Sequence, residues 1–364
     1  MKSILVISNT YYQLITAIRL KETLWNKEKV DIVISDQSNN SEKVAENLKK
    51  LNFFQNVWWI KTKNICQGSG NIYLKLKRWK YVTCGIYYPE ITAYRYDEIV
   101  YYNADIFVYG IFSKLIKINR QLICSRYEEG ILSYSDSQYL NNSRLKYANI
   151  LRRFLYKKTL EQCTSDFYCF YPQLYAGKLN AKAIPQIHHH EGMAKKLKTI
   201  FNINDNMLKI NEKYIFFSGV FDFEGGEPIG EFELIIRIAE LVGKENLIVK
   251  LHPRDRRKKF EEKNIKIYEY SSIPWEAIQL NCDFSEKIFL TVNSGSILGA
   301  NMMLKNRVRS YFLYKCCNFD KNSEASAYIK NVDQFLNDSD SILDQIYILE
   351  NIEKLSEICH MERA

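Results

Sequence analysis

Short apolar runs alternate along the chain with stretches whose apolar positions recur every three or four residues. In the first half, the apolar runs of strand length lie at 3–8, 30–35, 56–61, 97–103 and 121–126. Helical patterns lie at 11–24, 41–51 and 106–118, and a basic, aromatic stretch between 66 and 91 is expected to hold a helix and a turn. Buried strands that alternate with helices are typical of a doubly wound α/β domain.

A second series of the same kind begins after residue 205. Its strands are predicted at 214–218, 247–251, 265–268, 288–293 and 309–314, and its helices at 229–242, 274–280, 296–303 and 341–359. At 180–205 the alternation lapses, and we place the domain linker there. The predicted fold class is α/β, with two Rossmann-like domains that face each other across a cleft. Their limits are 1–190 and 206–340, and a C-terminal helix at 341–364 crosses back to the first domain.

Length and composition fit this organisation. The chain has 364 residues, which exceeds one ordinary hydrophobic core. Its nine cysteines, an odd number without a CxxC pair, indicate reduced thiols. Neither a signal peptide nor an apolar run of about 18 residues is evident. We therefore expect a cytoplasmic protein that contacts at most the inner face of the cytoplasmic membrane.

The formal net charge of +9 favours an anionic partner, such as a nucleotide, a phosphorylated lipid or a membrane face. No nucleic-acid motif is evident, so nucleic acid is not expected as a partner. A basic helix predicted at 143–162 could contact an anionic membrane or a phosphorylated acceptor, or its cations could form a solvated face opposite an apolar one. A homodimer is left open.

Two adjacent carboxylates follow the strand predicted at 121–126. Glu128 and Glu129 precede Gly130, so negative charge is expected at a sheet edge, with only one of the two side chains directed into a cleft. Neighbouring carboxylates raise each other's pKa, which suits a general base or a group that binds hydroxyls. A solvated turn is the alternative, and Gly130 favours a specific turn.

A basic segment ends the strand predicted at 247–251. Lys250, His252 and Arg254 lie at its carboxyl end, where open α/β sheets bind ligands, and their charge indicates an anion. His252 is a candidate hydrogen-bond donor to an oxyanion, or a general acid toward a leaving phosphate. A purely structural histidine is the alternative.

A turn of small residues joins the strand predicted at 288–293 to the next helix. Asn293, Ser294, Gly295 and Ser296 would bring backbone N–H groups, two hydroxyls and the positive end of a helix to one point, which indicates a phosphate site. The two serines could instead be plain helix caps. The turn has neither the lysine of a P-loop nor the spacing of a dinucleotide fingerprint, which argues against ATP and NAD.

A loop of carboxylates and glycines follows the strand predicted at 214–218. Asp222 or Glu224 is a candidate base if the loop faces the cleft, and a surface loop is the alternative. The three histidines at 188–190 are consecutive and cannot all face one ion. We therefore expect no metal site and no cofactor.

Taken in order, these features resemble the motifs of bacterial sialyltransferases. The strings RYEEGILSY, VKLHPRD, SSIPWE and TVNSGS are similar to those of glycosyltransferase family 52, the lipooligosaccharide and capsule sialyltransferases. The resemblance includes the helix that begins at Tyr11, and we count Tyr11 among the substrate-binding residues. It implies the GT-B fold, CMP-sialic acid as donor, a galactose-terminated glycan as acceptor, an α-2,3 linkage and no metal. The first domain would bind the acceptor and the second the nucleotide sugar.

The resemblance also implies roles for single residues. His252 looks like the motif histidine that assists the departure of CMP, and Ser294 and Ser296 look like the serines near its phosphate. Pro274 and Glu276 are similar to a family element at the nucleotide pocket, where Glu276 would bind ribose hydroxyls.

The general base is less well defined. Family members often carry a Gln-Pro-Leu string followed by acidic residues where this chain has residues 218–224, so the base is left open among Glu224, Asp222, Glu129 and Glu128. We expect a single inverting displacement, with a protonated His252 beside the leaving phosphate. Two alternatives stay open: a GT-B enzyme that uses another sugar nucleotide, such as a UDP-sugar, in polysaccharide synthesis, and a non-catalytic carbohydrate-binding protein of the same machinery.

Overall fold

Two units, each with its own parallel β-sheet, make up the chain in the computed structural model: Met1–Pro185 and Gln186–Ala364. The division falls inside the stretch 180–205. The structure describes residues 1–66, 72–134, 150, 153–154, 158–188, 191–224, 229–252, 254–255, 259–305, 307–320, 323–339 and 342–361. Within these ranges, every helix is too short or too polar to cross a membrane.

The first unit is built on seven parallel strands. These are β1 (Ser3–Ser8), β2 (Lys29–Ser35), β3 (Asn56–Ile60), β4 (Glu98–Tyr101), β5 (Ile123–Tyr127), β6 (Thr164–Cys169) and β7 (Asn180–Ala183). They pair in the order β3-β2-β1-β4-β5-β6-β7. The inner strands are nearly continuous apolar runs, because a parallel sheet is covered on both faces. In β1, for example, the residues from Ile4 to Ile7 are buried.

Seven α-helices are described in the first unit. They are α1 (Tyr11–Glu22), α2 (Ser41–Lys50), α3 (Lys63–Cys66), α4 (Ile72–Cys84), α5 (Pro89–Thr92), α6 (Ile106–Ile118) and α7 (Leu160–Cys163). Two of them start at side-chain caps: Thr10 accepts the N–H of Gln13 at 3.3 Å, and Asp105 accepts the N–H of Val108 at 2.8 Å. Such caps satisfy amide groups that the first helical turn leaves without a partner.

The second unit is built on six parallel strands. These are β8 (Tyr214–Phe217), β9 (Leu247–Lys250), β10 (Lys266–Ile267), β11 (Ile288–Thr291), β12 (Ser310–Phe312) and β13 (Ile346–Ile348). They pair in the order β10-β9-β8-β11-β12-β13. The described α-helices are α8 (Glu191–Ile200), α9 (Phe221–Glu224), α10 (Glu231–Val242), α11 (Lys259–Glu262), α12 (Trp275–Asn281), α13 (Gly295–Met303), α14 (Glu324–Ser339) and α15 (Ile352–Met361).

Both sheets have the strand order of a Rossmann fold. The chain order reverses between β1 and β4 in the first sheet and between β8 and β11 in the second. In open α/β sheets, ligands bind at the carboxyl ends of the strands beside such a reversal. The predicted doubly wound α/β fold is thereby confirmed, and each unit has one edge where a ligand is expected.

Most predicted elements lie within a few residues of the observed ones, but two strands were missed and one predicted helix is wrong. Strands β6 and β7 were not predicted, since β6 merges into an aromatic run and β7 has no alternating apolar pattern. The last segment is not one helix over 341–359, because Ile346–Ile348 pairs with β12 before α15 begins. The stretch 180–205, where we place the domain linker, also holds β7 and α8, and the Ala194 carbonyl of α8 accepts a hydrogen bond from the Asn281 amide at 3.2 Å.

The basic helix predicted at 143–162 lies largely outside the described residues. Ile150 and Phe154, which the pattern assigns to its apolar face, are exposed, and Leu160–Cys163 forms α7. The contact of this segment with a membrane stays a prediction.

Candidate active site

The amino-terminal end of α13 lies open at the carboxyl edge of the second sheet. Ser294 occupies the N-cap position, but its side chain makes no capping hydrogen bond in this fully described helix, so the plain-cap alternative does not hold for it. Gly295 is exposed, and a Cβ atom added there would meet no described atom within 4 Å. Ser294 and Ser296 are half-buried beside it. The amide groups of the first turn are therefore accessible to an anion.

Thr291, which the sequence analysis did not single out, holds this turn in place. Its buried hydroxyl donates to the Phe217 carbonyl on the neighbouring strand β8 at 2.9 Å. The same oxygen accepts the N–H groups of Asn293 (3.1 Å) and Ser294 (2.8 Å). One side chain thus joins two strand ends across the chain reversal and fixes the start of α13.

Just after the neighbouring strand β8, Gly219 lies in close contact with the side-chain amide of Asn293. A Cβ atom added to Gly219 would lie 2.1 Å from Oδ1 of Asn293, so no larger residue fits without a shift. The Gly219 N–H donates to both carboxylate oxygens of buried Glu231 (2.9 and 3.0 Å), which fixes the loop. Oδ1 of Asn293 is buried and has no hydrogen-bond partner among the described residues. It is a polar atom that a ligand or water could satisfy.

A buried charge pair lies beneath the same edge. Lys250, the last residue of β9, is level with Phe217, as is Thr291 on the other side of β8. Burial lowers the pKa of Lys250 to about 8 and raises the pKa of Glu276 to about 7, and each group partly offsets the shift of the other. Glu276 lies in the first turn of α12, where Pro274 is the N-cap. The pair keeps a cation at the strand end while neutralising part of its charge.

His252 lies next to this cation. Its backbone N–H donates to Oγ of Ser218 at 3.1 Å, which links the ends of β9 and β8. Its Nδ1 accepts the backbone N–H of Arg254 at 3.3 Å, so in the neutral ring the proton is on Nε2. The Nε2–H group is therefore the ring donor that could reach an anion.

Burial and neighbouring cations disfavour the protonated form of His252. Burial, and then the cations Arg254 and Lys250, lower the pKa of His252 to about 4, and Asp255 offsets this only in part. Two cations and partial burial therefore disfavour a third charge on His252 in the protein without a ligand, and a protonated His252 beside the leaving phosphate stays a prediction. A bound phosphate would add negative charge and raise this pKa again.

Asp222, one of the two candidate bases in the loop after β8, is held by backbone groups. Both oxygens of Asp222 accept backbone N–H groups, from Ile229 at 2.8 Å and Phe232 at 3.1 Å, which ties the loop to the start of α10. Asp222 therefore holds the loop. Glu224 ends α9, and its side chain lies outside the described part of the structure, as do Pro253 and residues 225–228.

In the first unit, the acidic pair divides into a buried and an accessible carboxylate. Glu128 is fully buried and accepts hydrogen bonds from the hydroxyls of Tyr12 and Tyr134, each at 2.5 Å, and from the Phe170 N–H at 2.8 Å. Burial raises the pKa of Glu128 to about 7 despite these donors. Its contacts join α1, the turn after β5 and the end of β6, which is the placement of a carboxylate that holds these elements together.

Glu129 is only half-buried, at the amino-terminal end of α1. Its carboxylate accepts hydrogen bonds from the side chains of Thr10 and Gln13, which lower its pKa, but burial is the larger effect and raises the pKa to about 7. A carboxylate with that pKa can accept a proton near neutral pH. The two carboxylates thus differ in burial, and the orientation of one of them into a cleft stays a prediction.

Gly130 makes this arrangement possible. Its φ of +78° lies in the left-handed region that favours glycine, and the chain turns there into a 3-10 helix at Ile131–Tyr134. Tyr11 donates its hydroxyl to the Asn39 carbonyl, whereas the adjacent Tyr12 reaches Glu128. Neighbouring positions on a helix face different directions, so Tyr12 is the tyrosine that supports the acidic pair.

Among the described residues, no group of three or more His, Cys, Asp or Glu side chains could hold a metal ion. Of the three consecutive histidines, His188 is exposed, and residues 189–190 lie outside the described part of the structure.

Comparisons with known proteins add to this geometry. Residues 4–312 match the profile of the alpha-2,8-polysialyltransferase (POLYST) family. A search of the curated proteins found no significant match. Among solved structures, UGT89C1 of Arabidopsis thaliana complexed with UDP has a TM-score of 0.51 and 10% identity, with 100% of this chain and 91% of that chain covered. The likeness concerns the fold.

Two further solved structures have similar coverage. An alpha/beta-galactoside alpha-2,3-sialyltransferase from Photobacterium phosphoreum has a TM-score of 0.49 and 13% identity over 95% of this chain and 97% of that chain. The UDP-GlcNAc 2-epimerase of Methanocaldococcus jannaschii has a TM-score of 0.49 and 15% identity over 98% and 92%.

The matched range contains both carboxyl edges described above, since it includes Glu129, His252 and the start of α13. The predicted GT-B fold class is confirmed, and so is the expectation of a sialyltransferase family. The narrower assignment to glycosyltransferase family 52 is not supported by this match. This chain is a glycosyltransferase of the GT-B fold and belongs to the alpha-2,8-polysialyltransferase family.

Proposed function

We propose that this protein transfers sialic acid from CMP-sialic acid to a hydroxyl group of a glycan, with inversion at C2. The family match over residues 4–312 carries the proposal, because it includes both the acidic edge of the first unit and the basic edge of the second. The first unit would bind the acceptor and supply the base. The second would bind the nucleotide and receive the leaving group.

In this mechanism, Glu129 is the general base. It is the accessible member of the acidic pair, its pKa is raised to about 7, and Thr10 and Gln13 orient its carboxylate. The carboxylate takes the proton of the acceptor hydroxyl as that oxygen attacks C2 of sialic acid. The transition state is oxocarbenium-like, as in glycoside hydrolysis. Glu128, which already accepts three hydrogen bonds, would keep the strand end and α1 in register.

The second unit would stabilise the departing CMP. As the C2–O bond breaks, its electron pair passes to the CMP phosphate oxygen. The N–H groups at the start of α13, Lys250 and Nε2–H of His252 would stabilise the charge on that phosphate. Because a monophosphate leaving group carries less charge than a diphosphate, these protein groups are a reasonable replacement for a metal ion. Binding of ribose hydroxyls by Glu276 is part of the proposal.

The family match bears on the linkage that the protein would form. The family's description names α-2,8 polysialyl transfer, and its profile matches 309 residues of this chain, from 4 to 312, whereas the expected α-2,3 reaction on galactose rests on short strings. We therefore propose an acceptor that ends in sialic acid as the first candidate. A galactose-terminated acceptor is the second.

One panel of reactions tests the proposal. The purified protein is incubated with CMP-sialic acid or with UDP-sugars, each with a sialic-acid-terminated or a galactose-terminated acceptor, and with or without a chelator. We expect sialylated product from CMP-sialic acid only, with the chelator having no effect. Transfer from a UDP-sugar would favour another glycosyltransferase, and CMP binding without transfer to any acceptor would favour a carbohydrate-binding protein.

A further inference from the structure

The helix α4 carries an apolar stripe that extends beyond its contact with the rest of the first unit. Its apolar members Ile72, Leu76 and Trp79 follow one another at helical spacings of four and three residues, so they share one face, and Thr83 lies four residues further along that face. Thr83 is buried, whereas Ile72, Leu76 and Trp79 are 77%, 62% and 52% exposed. The stripe therefore begins in the packed part of the unit and continues outside it.

The carboxyl-terminal end of α4 is held firmly. The Ser113 hydroxyl of α6 donates to the Val82 carbonyl at 2.8 Å, and the Ile86 N–H donates to the Gly110 carbonyl at 3.0 Å. A Cβ atom on Gly110 would lie 2.4 Å from the Ile86 side chain, so α6 and the chain after α4 are in close contact. The exposed part of the stripe is thus an extension of an anchored helix.

The charges around the stripe have one sign. Between residues 61 and 89 the sequence has six lysines and arginines and no aspartate or glutamate. On the helix, Lys75 and Lys80 lie on either side of the stripe, and both are exposed, as is Lys77. Lys117 of α6 extends this basic region, since its Nζ donates to the Cys84 carbonyl at 3.2 Å.

We propose that α4 docks the protein on an anionic lipid bilayer, with Ile72, Leu76 and Trp79 inserted among the head groups and acyl chains. An interfacial helix of this kind combines an apolar face containing Trp or Leu with flanking lysines. Long lysine side chains can reach the head groups while the apolar stripe is buried. The segment differs from the basic stretch 143–162, and the proposal does not depend on the proposed reaction.

Charge favours a bilayer over a second copy of this chain as the occupant. Two copies that paired through this face would bring the lysines and Arg78 of one α4 against those of the other. An anionic surface, by contrast, is attracted by each of these cations, with about fivefold in partitioning per lysine or arginine. An acidic protein partner is the remaining alternative and is separated by the experiment.

The test is co-sedimentation of the full-length protein with vesicles of phosphatidylglycerol and phosphatidylethanolamine, or of phosphatidylcholine alone. Variant I72S/L76S/W79S removes the stripe, and K75Q/K77Q/K80Q removes three cations. Variant K43Q/K49Q/K50Q is the matched control, since it removes three exposed lysines from α2. Circular dichroism spectra and thermal midpoints show that each variant folds.

We expect the wild type and the α2 control to bind anionic vesicles and to be released by about 1 M salt, where the Debye length is about 3 Å. The α4 charge variant should bind about 100-fold more weakly, from about fivefold per cation. The serine variant should lose at least as much, because three exposed apolar side chains no longer enter the bilayer. Lipids brominated on their acyl chains should quench part of the tryptophan fluorescence of the wild type. The W79F variant should lack this quenched part.

Any of the following results would overturn the proposal. The first is equal binding of the wild type and the serine variant, and the second is equal binding to neutral and anionic vesicles. The third is a dimer in sedimentation velocity that the serine variant converts to a monomer, or an absence of vesicle binding by the wild type. The last of these would leave an acidic protein as the partner of this face.

Discussion

The division of roles within the acidic pair is the sharpest consequence of the site geometry. Glu129→Gln keeps the size of the side chain and its contacts with Thr10 and Gln13, but removes the group that takes the proton. Glu128→Gln makes the same chemical change one residue earlier, at a buried carboxylate that accepts three hydrogen bonds. We expect the first variant to lose catalysis and the second to retain most of it.

The magnitude follows from the base role and the pKa. A positioned general base contributes about 10²–10⁴-fold to rate, so kcat/KM of Glu129→Gln should fall by that factor. Because burial raises the pKa of Glu129 to about 7, its carboxyl group is mostly protonated below that pH. Only the ionised form can act as the base. The wild-type kcat/KM should therefore rise tenfold per pH unit below about 7 and level off above it. Glu128→Gln should lose less than about tenfold.

The assay is CMP release from CMP-sialic acid at saturating donor and varied acceptor, which gives kcat/KM for the acceptor, measured from pH 5.5 to 9 for the wild type and both variants. Thr10→Val supplies a second readout, because loss of a hydrogen bond to the carboxylate raises its pKa further and moves the profile to higher pH. The reasoning is refuted if Glu129→Gln keeps more than about a tenth of wild-type kcat/KM, or if its pH profile still rises near 7.

Three predictions concern the second unit. His252→Ala should lower kcat by about 10²–10⁴-fold and change the affinity for CMP much less. Single-turnover kinetics would measure the first effect, and titration of CMP the second. Unchanged turnover would remove His252 from the mechanism. Gly219→Ala should destabilise the protein by about 1–3 kcal/mol, since its Cβ would lie 2.1 Å from Asn293. Gly295→Ala, by contrast, should keep the wild-type denaturation midpoint but weaken CMP binding. Equal denaturation midpoints for the two variants would contradict this contrast. Thr291→Val leaves the buried N–H of Asn293 and the half-buried N–H of Ser294 without their acceptor and should cost about 2–4 kcal/mol in urea denaturation. A loss below about 0.5 kcal/mol would show that the turn does not depend on the hydroxyl.

The strands and the strand ends could be predicted because parallel sheets leave a strong signal. Buried strands such as β1 and β9 are short apolar runs, and the residues that follow them fall at the carboxyl edge whatever the details of packing. That is why Glu129, His252 and the start of α13 were predicted at sheet edges. Edge strands such as β7 and β13 have a weaker pattern, because only part of their surface is covered.

The support around the site could not be predicted in the same way. The contacts of Thr291 with β8, of Gly219 with Asn293 and of Tyr12 with Glu128 join residues far apart in the chain. Threonine followed by a turn and a helix is a weak signal, and a lone glycine gives no hint of what approaches it. The charge state of His252 also depends on the three-dimensional arrangement, since burial and Arg254 outweigh Asp255.

The stereochemistry and donor of the reaction test the central claim most directly. Proton NMR of a mixture of the protein, CMP-sialic acid and a sialic-acid-terminated or galactose-terminated acceptor follows the donor and the first glycoside formed. The account predicts CMP release coupled to a new sialic acid glycoside of α configuration, inverted relative to the β-linked donor. A product of β configuration, or no sialic acid glycoside with either acceptor, would contradict it.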